Sequence, residues 1–481
     1  MRTGQQYIES LKDNRCIYID GERVKDVTTH PAFTGIIDTV AGLYDIAIDA
    51  KNNMTYVTED GTIANKIFMI PRSREDLQER REAISKWAEA TYGFVGRSPD
   101  HVASFLASFA GASHVFERGG ERFKDNIVNF YKMVRDNDLY VTYVIIPPQV
   151  DRSKAAHELD EKYVAMAVYE EREDGIVVRG SQMLGTGSAV CNYLFCSVIS
   201  PLRPGDEDYA ISFAVPMDAP GLKLYARPSY AQDKPSTFDY PLSTQFDESD
   251  SFVVFDDVFI PWEQVFVYKN IDLVKAQFHE TPAHALGNNQ AQIRFTTKLK
   301  FIIGVARKIA EMNGIDKFPQ VQEKLGELAS IASCVEGMML ASEYYCIDDK
   351  NGLVRPNPRF LYGIVGMQDT IYSNVIKILR ELTGGGVLQG PSTYKEIINP
   401  ESAGDINKYI RAGSADSTQK IKLFKLAWDI VGSEFGGRHQ QYEMFYNGAP
   451  FVVKGYSFRN YGYHEATNLV NRFLESYQFP Q

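Results

Sequence analysis

The stretch Val164-Ala165-Met166-Ala167-Val168 followed by Glu171-Arg172-Glu173-Asp174-Gly175-Ile176-Val177-Val178 decides the fold class. Apolar residues alternate on either side of a turn signal, the two-residue period of a hairpin, with a type I′ turn expected at Asp174-Gly175. The same period continues through Tyr209, Ile211, Phe213 and Val215 and through Phe252-Val253-Val254-Phe255, up to Pro261. Residues 148–270 therefore read as a central antiparallel β domain.

On both sides the period changes to that of a helix. Leu77, Ile84 and Trp87 line one side of a charged segment, and Ile127, Phe130 and Tyr131 line another, so residues 1–147 read as an N-terminal helical domain. After residue 271 the helices lengthen. Phe295, Leu299, Ile302, Ala306 and Ile309 are spaced 4-3-4-3, Val321 to Met339 repeats the rhythm, and Ile364 to Leu382 predicts a third helix closed by Gly384. Residues 271–481 thus read as a C-terminal helical bundle, whose wide apolar seams suit packing between subunits.

Within the first region, Gly96-Arg97-Ser98-Pro99-Asp100-His101 carries a helix-start signature. Ser98 suits the N-cap, Pro99 the first helical position, and Asp100 complements the helix dipole. Arg97 then stands before the helix and His101 on its first turn, a fixed cation beside a group that titrates near neutrality.

The 481 residues carry 62 acidic and 51 basic side chains, a net charge of -11, with no basic block to neutralise phosphates. Nucleic acid and anionic membrane are excluded as expected partners. Cys16, Cys191, Cys196, Cys334 and Cys346 form no CxxC pair. That usage fits the cytoplasm and argues against a disulfide framework, and no metal site is expected. Residues 1–15 read as an amphipathic helix without a signal core, and no run of eighteen apolar residues occurs. There is no G-x-G-x-x-G opening a helix after a strand, so no nicotinamide site is evident.

Five segments, in order along nearly the whole chain, resemble the oxygenase components of the 4-hydroxyphenylacetate 3-monooxygenase family. They are Gly21 to Asp26 with Thr29-His30-Pro31-Ala32-Phe33; Gly96 to Asp100; Pro147-Pro148-Gln149-Val150-Asp151-Arg152; Phe255 to Glu263; and Gly432-Ser433-Glu434-Phe435-Gly436-Gly437-Arg438-His439. The resemblance implies an acyl-CoA dehydrogenase-like fold, with a helical domain, a central antiparallel β-barrel and a helical bundle, assembled as a homotetramer. It also implies a two-component aromatic hydroxylase. A separate flavin reductase supplies reduced FAD (FADH2), O2 adds to the flavin as a C4a-hydroperoxide, and one oxygen is transferred ortho to a phenol hydroxyl.

Carried onto this sequence, the resemblance puts Arg97 in the substrate site, where its charge would hold a phenolate. It puts Gln149, Val150, Asp151 and Arg152 in the loop that holds flavin, Thr186 at the isoalloxazine edge, and Pro450 in the flavin-pocket segment. His101 stands where the family has Tyr and Tyr143 where it has His, and Asn289 where some relatives carry another His. An exchange that keeps one imidazole and one phenol facing each other across the substrate would preserve hydroxylation. A pocket rebuilt for a larger phenol, an indole or pyrrole, or a carrier-tethered aryl group is the alternative. A non-catalytic flavin or aromatic binder would keep the same residues. The related [4Fe–4S] dehydratase type needs cysteines near Arg97, and Val95 to Phe105 has none. Arg438 and His439 are expected to end the helix through Trp428 and Ile430, a structural role.

Overall fold

The structure, a computed structural model, describes residues 1–349 and 351–479. Its middle is built of two sheets. The larger has six strands in the order Glu22–Arg23, Cys16–Ile19, Leu222–Ala226, Ser251–Pro261, Gly175–Gln182 and Ala167–Glu171. The smaller runs Val265–Val267, Ser212–Pro216, Tyr193–Cys196 and Val141–Val144.

Several expectations for this region need correction. No closed barrel forms among the described residues, because the strands pair into separate sheets. The sheets are not wholly antiparallel, since Cys16–Ile19 runs parallel to Leu222–Ala226 and Val141–Val144 parallel to Tyr193–Cys196. Both parallel partners are distant in sequence, the arrangement that a hairpin pattern cannot reveal. The Ala167–Gln182 hairpin closes between Arg172 and Gly175, whose backbone groups bond at 2.8 and 3.4 Å. Glu173 and Asp174 are thus the central residues, and neither has the positive φ of a type I′ turn. Tyr209 lies in a 3₁₀ turn before its strand, and Ser212–Val215 is buried on both faces rather than alternating.

One helix packs on the small sheet and a second packs behind it. Pro99–Gly111 begins at Ser98 as its sequence predicts, but the Ser98 hydroxyl donates to Asp100 Oδ1 at 2.5 Å instead of accepting a backbone N–H. Residues 99–109 are buried on every side, where the spacing predicts one apolar face. The helix packs on Ala283–Met312, on Glu121–Asp136 and on the Val141–Val144 strand. In Ala283–Met312 every residue from 283 to 296 is buried, including Asn288, Asn289, Gln290, Gln292 and Arg294. A helix enclosed all round must satisfy such groups internally, so it carries a buried polar network.

The third bundle helix is divided. Pro358–Val365 and Gln368–Thr383 meet at Gly366-Met367. The Ser417–Val431 helix ends at Gly432, and Ser433 caps a new one, Glu434–Phe445, through a 3.0 Å bond from the Gly436 N–H. Arg438 and His439 therefore sit inside a second helix and do not terminate the first. Pro319–Tyr344 is long and apolar enough to span a membrane by length and composition, with a mean hydropathy of 1.2 over its most apolar stretch. It packs on Ala283–Met312 along one face and leaves Leu340 and Tyr344 exposed.

Candidate functional site

The helix start presents Arg97 to three aromatic rings. Its guanidinium lies 5.1 Å from the Tyr143 ring centre, 5.4 Å from Tyr442 and 6.0 Å from Tyr446. Nη1 donates to His101 Nε2 at 2.9 Å and Nη2 to the Tyr446 carbonyl at 3.0 Å. The backbone N–H donates to Glu248 at 2.6 Å, and the carbonyl accepts from the Tyr140 hydroxyl at 2.6 Å. Of five side-chain N–H donors, protein acceptors therefore engage two. Arg97 is 7% exposed, and among the described residues no carboxylate pairs with its guanidinium. Glu248 acts on this charge without pairing with the guanidinium, and a buried cation lacking a direct partner favours an incoming anion.

His101 is fixed in one tautomer. Arginine can only donate, so Nε2 accepts, and Nδ1 carries the proton that it gives to Gln290 Oε1 at 3.0 Å. Burial, and then the neighbouring Arg97 charge, hold the imidazole well below its usual pKa. Gln290 is itself oriented by a 3.1 Å bond from its amide to Asp100. Asp100 is raised by burial to about 6, against the opposing bonds from Ser98 and Gln290.

Tyr143 touches this pair from the small sheet. Its ring centre is 5.4 Å from that of His101 and 5.6 Å from Phe105. That separation is direct ring contact and leaves no room for a phenol between them. The sequence expectation of two groups facing each other across the substrate is therefore replaced by one continuous wall of His101, Tyr143 and Phe105. Gly287 permits it, because a Cβ there would lie 2.2 Å from the Phe105 ring. No protein group bonds the half-buried Tyr143 hydroxyl among the described residues.

Thr186 connects to the same wall from the next strand connection. Its carbonyl accepts from the Thr142 hydroxyl at 2.8 Å, and its own hydroxyl donates to Asp250 at 2.5 Å. Leu184 and Gly187 on either side have φ of 62° and 73°, so the turn depends on left-handed backbone at both. The Gln149–Arg152 loop is brought to this turn by the backbone pairing of Ile146 with Met183. The loop is open. Val150 is 65% exposed, and among the described residues the Asp151 side chain bonds only Ser153 and Arg152 has no carboxylate partner. Leu184 is 56% exposed beside it. Exposed apolar side chains next to an unpaired guanidinium and a free Gln149 amide form a donor set that fits a flavin ring and its phosphates.

Pro450 begins the Pro450–Asn460 helix and lines a small depression with Tyr446, Glu443 and Asn447, so it borders the carbonyl that holds Arg97. Asn289 is turned elsewhere and donates to Glu343 at 2.9 Å.

Sequence reading missed the charges behind this wall. Arg438 donates to Glu248 at 2.9 Å and to both oxygens of Asp250 at 2.9 and 3.1 Å. Arg294 grips Glu443 with two bonds at 2.7 and 2.9 Å, and Lys298 adds a third at 2.8 Å. Burial raises the Glu443 carboxyl, yet the two cations outweigh it and hold the group down at about 2. Burial pulls Lys298 down to about 8. The signal for this network is a polar run, Asn288 to Gln292, followed by Arg294 and Lys298 in the same helix.

Residues 3–267 match the family 4-hydroxyphenylacetate 3-hydroxylase N terminal, and residues 274–475 match 4-hydroxyphenylacetate 3-hydroxylase C terminal. A 4-hydroxyphenylacetate 3-monooxygenase oxygenase component of Pseudomonas aeruginosa is 36% identical over 94% of this chain and 88% of its own length. A Streptomyces globisporus monooxygenase, named for a 3-amino-3-(3-chloro-4-hydroxyphenyl)propanoyl group on a peptidyl carrier protein, is also 36% identical, over 93% of this chain and 85% of its own. The crystal structure of the oxygenase component of 4-hydroxyphenylacetate 3-monooxygenase with FAD and 4-hydroxyphenylacetate superposes with a TM-score of 0.94 over 99% of both chains, at 32% identity. With both halves matched and relatives of this similarity spanning nearly its full length, the chain belongs to the 4-hydroxyphenylacetate 3-hydroxylase family.

Proposed function

We propose that the protein is the oxygenase component of a two-component system. In this reading it uses reduced FAD from a separate reductase, together with O2, to hydroxylate a phenol of the 4-hydroxyphenylacetate kind ortho to its hydroxyl. The observation that carries the proposal is the buried Arg97 guanidinium with no carboxylate partner among the described residues. Electrophilic oxygen transfer needs an electron-rich ring, and a fixed cation beside the phenol oxygen favours the phenolate.

Arg97 would bind the phenolate oxygen through the N–H groups left free by His101 and Tyr446. His101 would not exchange protons with the substrate, because its Nε2 lone pair is occupied by Arg97 and its proton by Gln290. Its role would be to hold the guanidinium in place while staying neutral, so that the cation remains uncompensated. The Tyr143 hydroxyl, without a protein partner among the described residues, would donate to whichever oxygen approaches it. Phe105 and the rings around it would exclude water. Gln149, Val150, Asp151, Arg152 and Thr186 would hold the flavin, with Pro450 bordering the pocket. When bound, that group supplies the activation of O2.

The same reading extends to assembly. Leu469, Val470, Phe473 and Leu474 lie exposed on the Tyr463–Glu475 helix, and Leu340 and Tyr344 on Pro319–Tyr344. Burial of these faces between copies suits a homotetramer. The five free cysteines suit the reducing cytoplasm.

The test supplies reduced FAD and O2 with a panel of phenols, free and carrier-tethered, and compares oxygen uptake with ortho-hydroxylated product. Free 4-hydroxyphenylacetate-like phenols should give coupled product, and Arg97→Ala should abolish it. Turnover of carrier-tethered substrates alone would favour the rebuilt pocket. If Arg97→Ala, His101→Phe and Tyr143→Phe all retain wild-type coupling, the site assignment fails.

A further inference from the structure

We infer that Arg438 is a positioning residue that ties the phenol side of the site to its flavin side through two carboxylates; the inference rests on the roles given above to Arg97 and Thr186. Arg438 lies in the Glu434–Phe445 helix with its side chain only 9% exposed, and it reaches neither side directly. Nη1 donates to Glu248 Oε2, while the other oxygen of Glu248 accepts the Arg97 backbone N–H at 2.6 Å. Nε and Nη2 donate to Asp250, whose Oδ1 also accepts the Thr186 hydroxyl at 2.5 Å. One planar guanidinium thus holds both carboxylates in a fixed relation, a task for which its fork geometry is suited and an ammonium is not.

The backbone between the two carboxylates reinforces this relation. Ser249 has a φ of 54°, a left-handed conformation uncommon for a residue with a side chain, and its carbonyl accepts the Gly187 N–H at 3.0 Å. The Thr186 turn is therefore anchored to the Glu248-Ser249-Asp250 segment at two points. The Tyr442 ring completes the connection, lying 4.8 Å from the Arg438 guanidinium and 5.4 Å from that of Arg97. Arg227 donates to Asp250 Oδ2 at 2.9 Å and would keep that carboxylate paired without Arg438. Among the described residues Arg438 is the only cation paired with Glu248. Loss of Arg438 would therefore disturb the two sides unequally if they were independent, and together if it couples them.

A double-mutant cycle separates these cases. Glu248→Gln perturbs the phenol side and Asp250→Asn the flavin side, each keeping a hydrogen-bonding amide, and both are measured in wild-type and Arg438→Lys backgrounds. The readouts are KM for the phenol, the fraction of oxygen uptake released as peroxide, and Tm. The expected result is crossed effects. Asp250→Asn raises the phenol KM about 5-fold, Glu248→Gln raises the peroxide fraction, and the two depart from additivity by about 3-fold. That non-additivity disappears with Arg438→Lys. Should Arg438→Lys fail to fold, the cycle in the wild-type background still decides. Effects confined to each variant's own side, or a lowered Tm with KM and peroxide fraction unchanged, overturn the inference. Arg97→Lys and Thr186→Ala are measured alongside. If those two leave KM and the peroxide fraction at wild-type values, the underlying site reading fails; if they shift them while crossed effects are absent, only the role of Arg438 fails.

Discussion

The Pro99 helix start and the Gln149–Arg152 loop are both read as parts of one site, yet they are built in opposite ways. At the helix start every group is buried and bonded: Arg97 to His101, His101 to Gln290, Gln290 to Asp100. In the loop Val150 lies open, and Arg152 has no carboxylate partner among the described residues. On the proposed reading, the difference teaches that the chain alone would fix the phenol anchor, whereas the Gln149–Arg152 loop would gain its contacts from the flavin itself. Preorganisation favours rate, while an open loop suits a cofactor that arrives reduced and departs oxidised.

The largest expected effect comes from breaking the rigid side. Arg97→Ala should lower product formation by about two to three orders of magnitude while oxygen uptake with reduced FAD continues, since the lost group is a preorganised charge. Product and peroxide assays on one reaction measure both. On the open side, Arg152→Ala should raise the reduced-FAD concentration needed for half-maximal rate by about 10-fold, the value of one charge-assisted phosphate contact. Its phenol KM should not move. A shifted phenol KM with an unchanged flavin requirement would reverse the assignment of the two sides.

His101→Phe sharpens the comparison. Because burial and Arg97 hold the imidazole well below its usual pKa, it is neutral throughout the physiological range. The wild-type and variant pH–rate profiles between pH 6 and 8 should therefore coincide in shape, with the variant lower by a few-fold. Loss of a pH-dependent limb in the variant would mean that His101 titrates during turnover.

The smallest effect is on stability. Asp100 has its folded pKa raised by burial to about 6, above its unfolded value, so its stabilising contribution is full at low pH and lost as pH rises through 6. The stability difference between wild type and Asp100→Asn should fall as pH rises from about 4 to about 7, by at most about 3 kcal/mol. Denaturant unfolding at several pH values measures it.

Much of this was legible because its determinants are local. Ser98, Pro99 and Asp100 announce the helix start within three residues, and the alternation around Val164 to Val178 announces a hairpin. Thr186 was legible from the resemblance alone. What escaped depends on partners far apart in the chain. Charged residues such as Glu248, Asp250 and Arg438 ordinarily stay in solvent, and nothing in their neighbourhoods indicates that they meet across about 190 residues. The tautomer of His101 is set by Gln290, likewise remote. The parallel pairing of Cys16–Ile19 with Leu222–Ala226 defeats the expectation of an antiparallel domain for the same reason, since parallel partners leave no turn between them.

As proposed, the buried Arg97 guanidinium, paired with no carboxylate among the described residues, binds the substrate as phenolate. The most direct measurement is a spectroscopic pH titration of a chromophoric nitrophenol bound to the flavin-free protein, with Arg97→Met in parallel. The account predicts that the bound phenol ionises about one pH unit or more below its value in water, and that Arg97→Met removes the shift. A bound phenol with an unshifted pKa in the wild-type protein would contradict it.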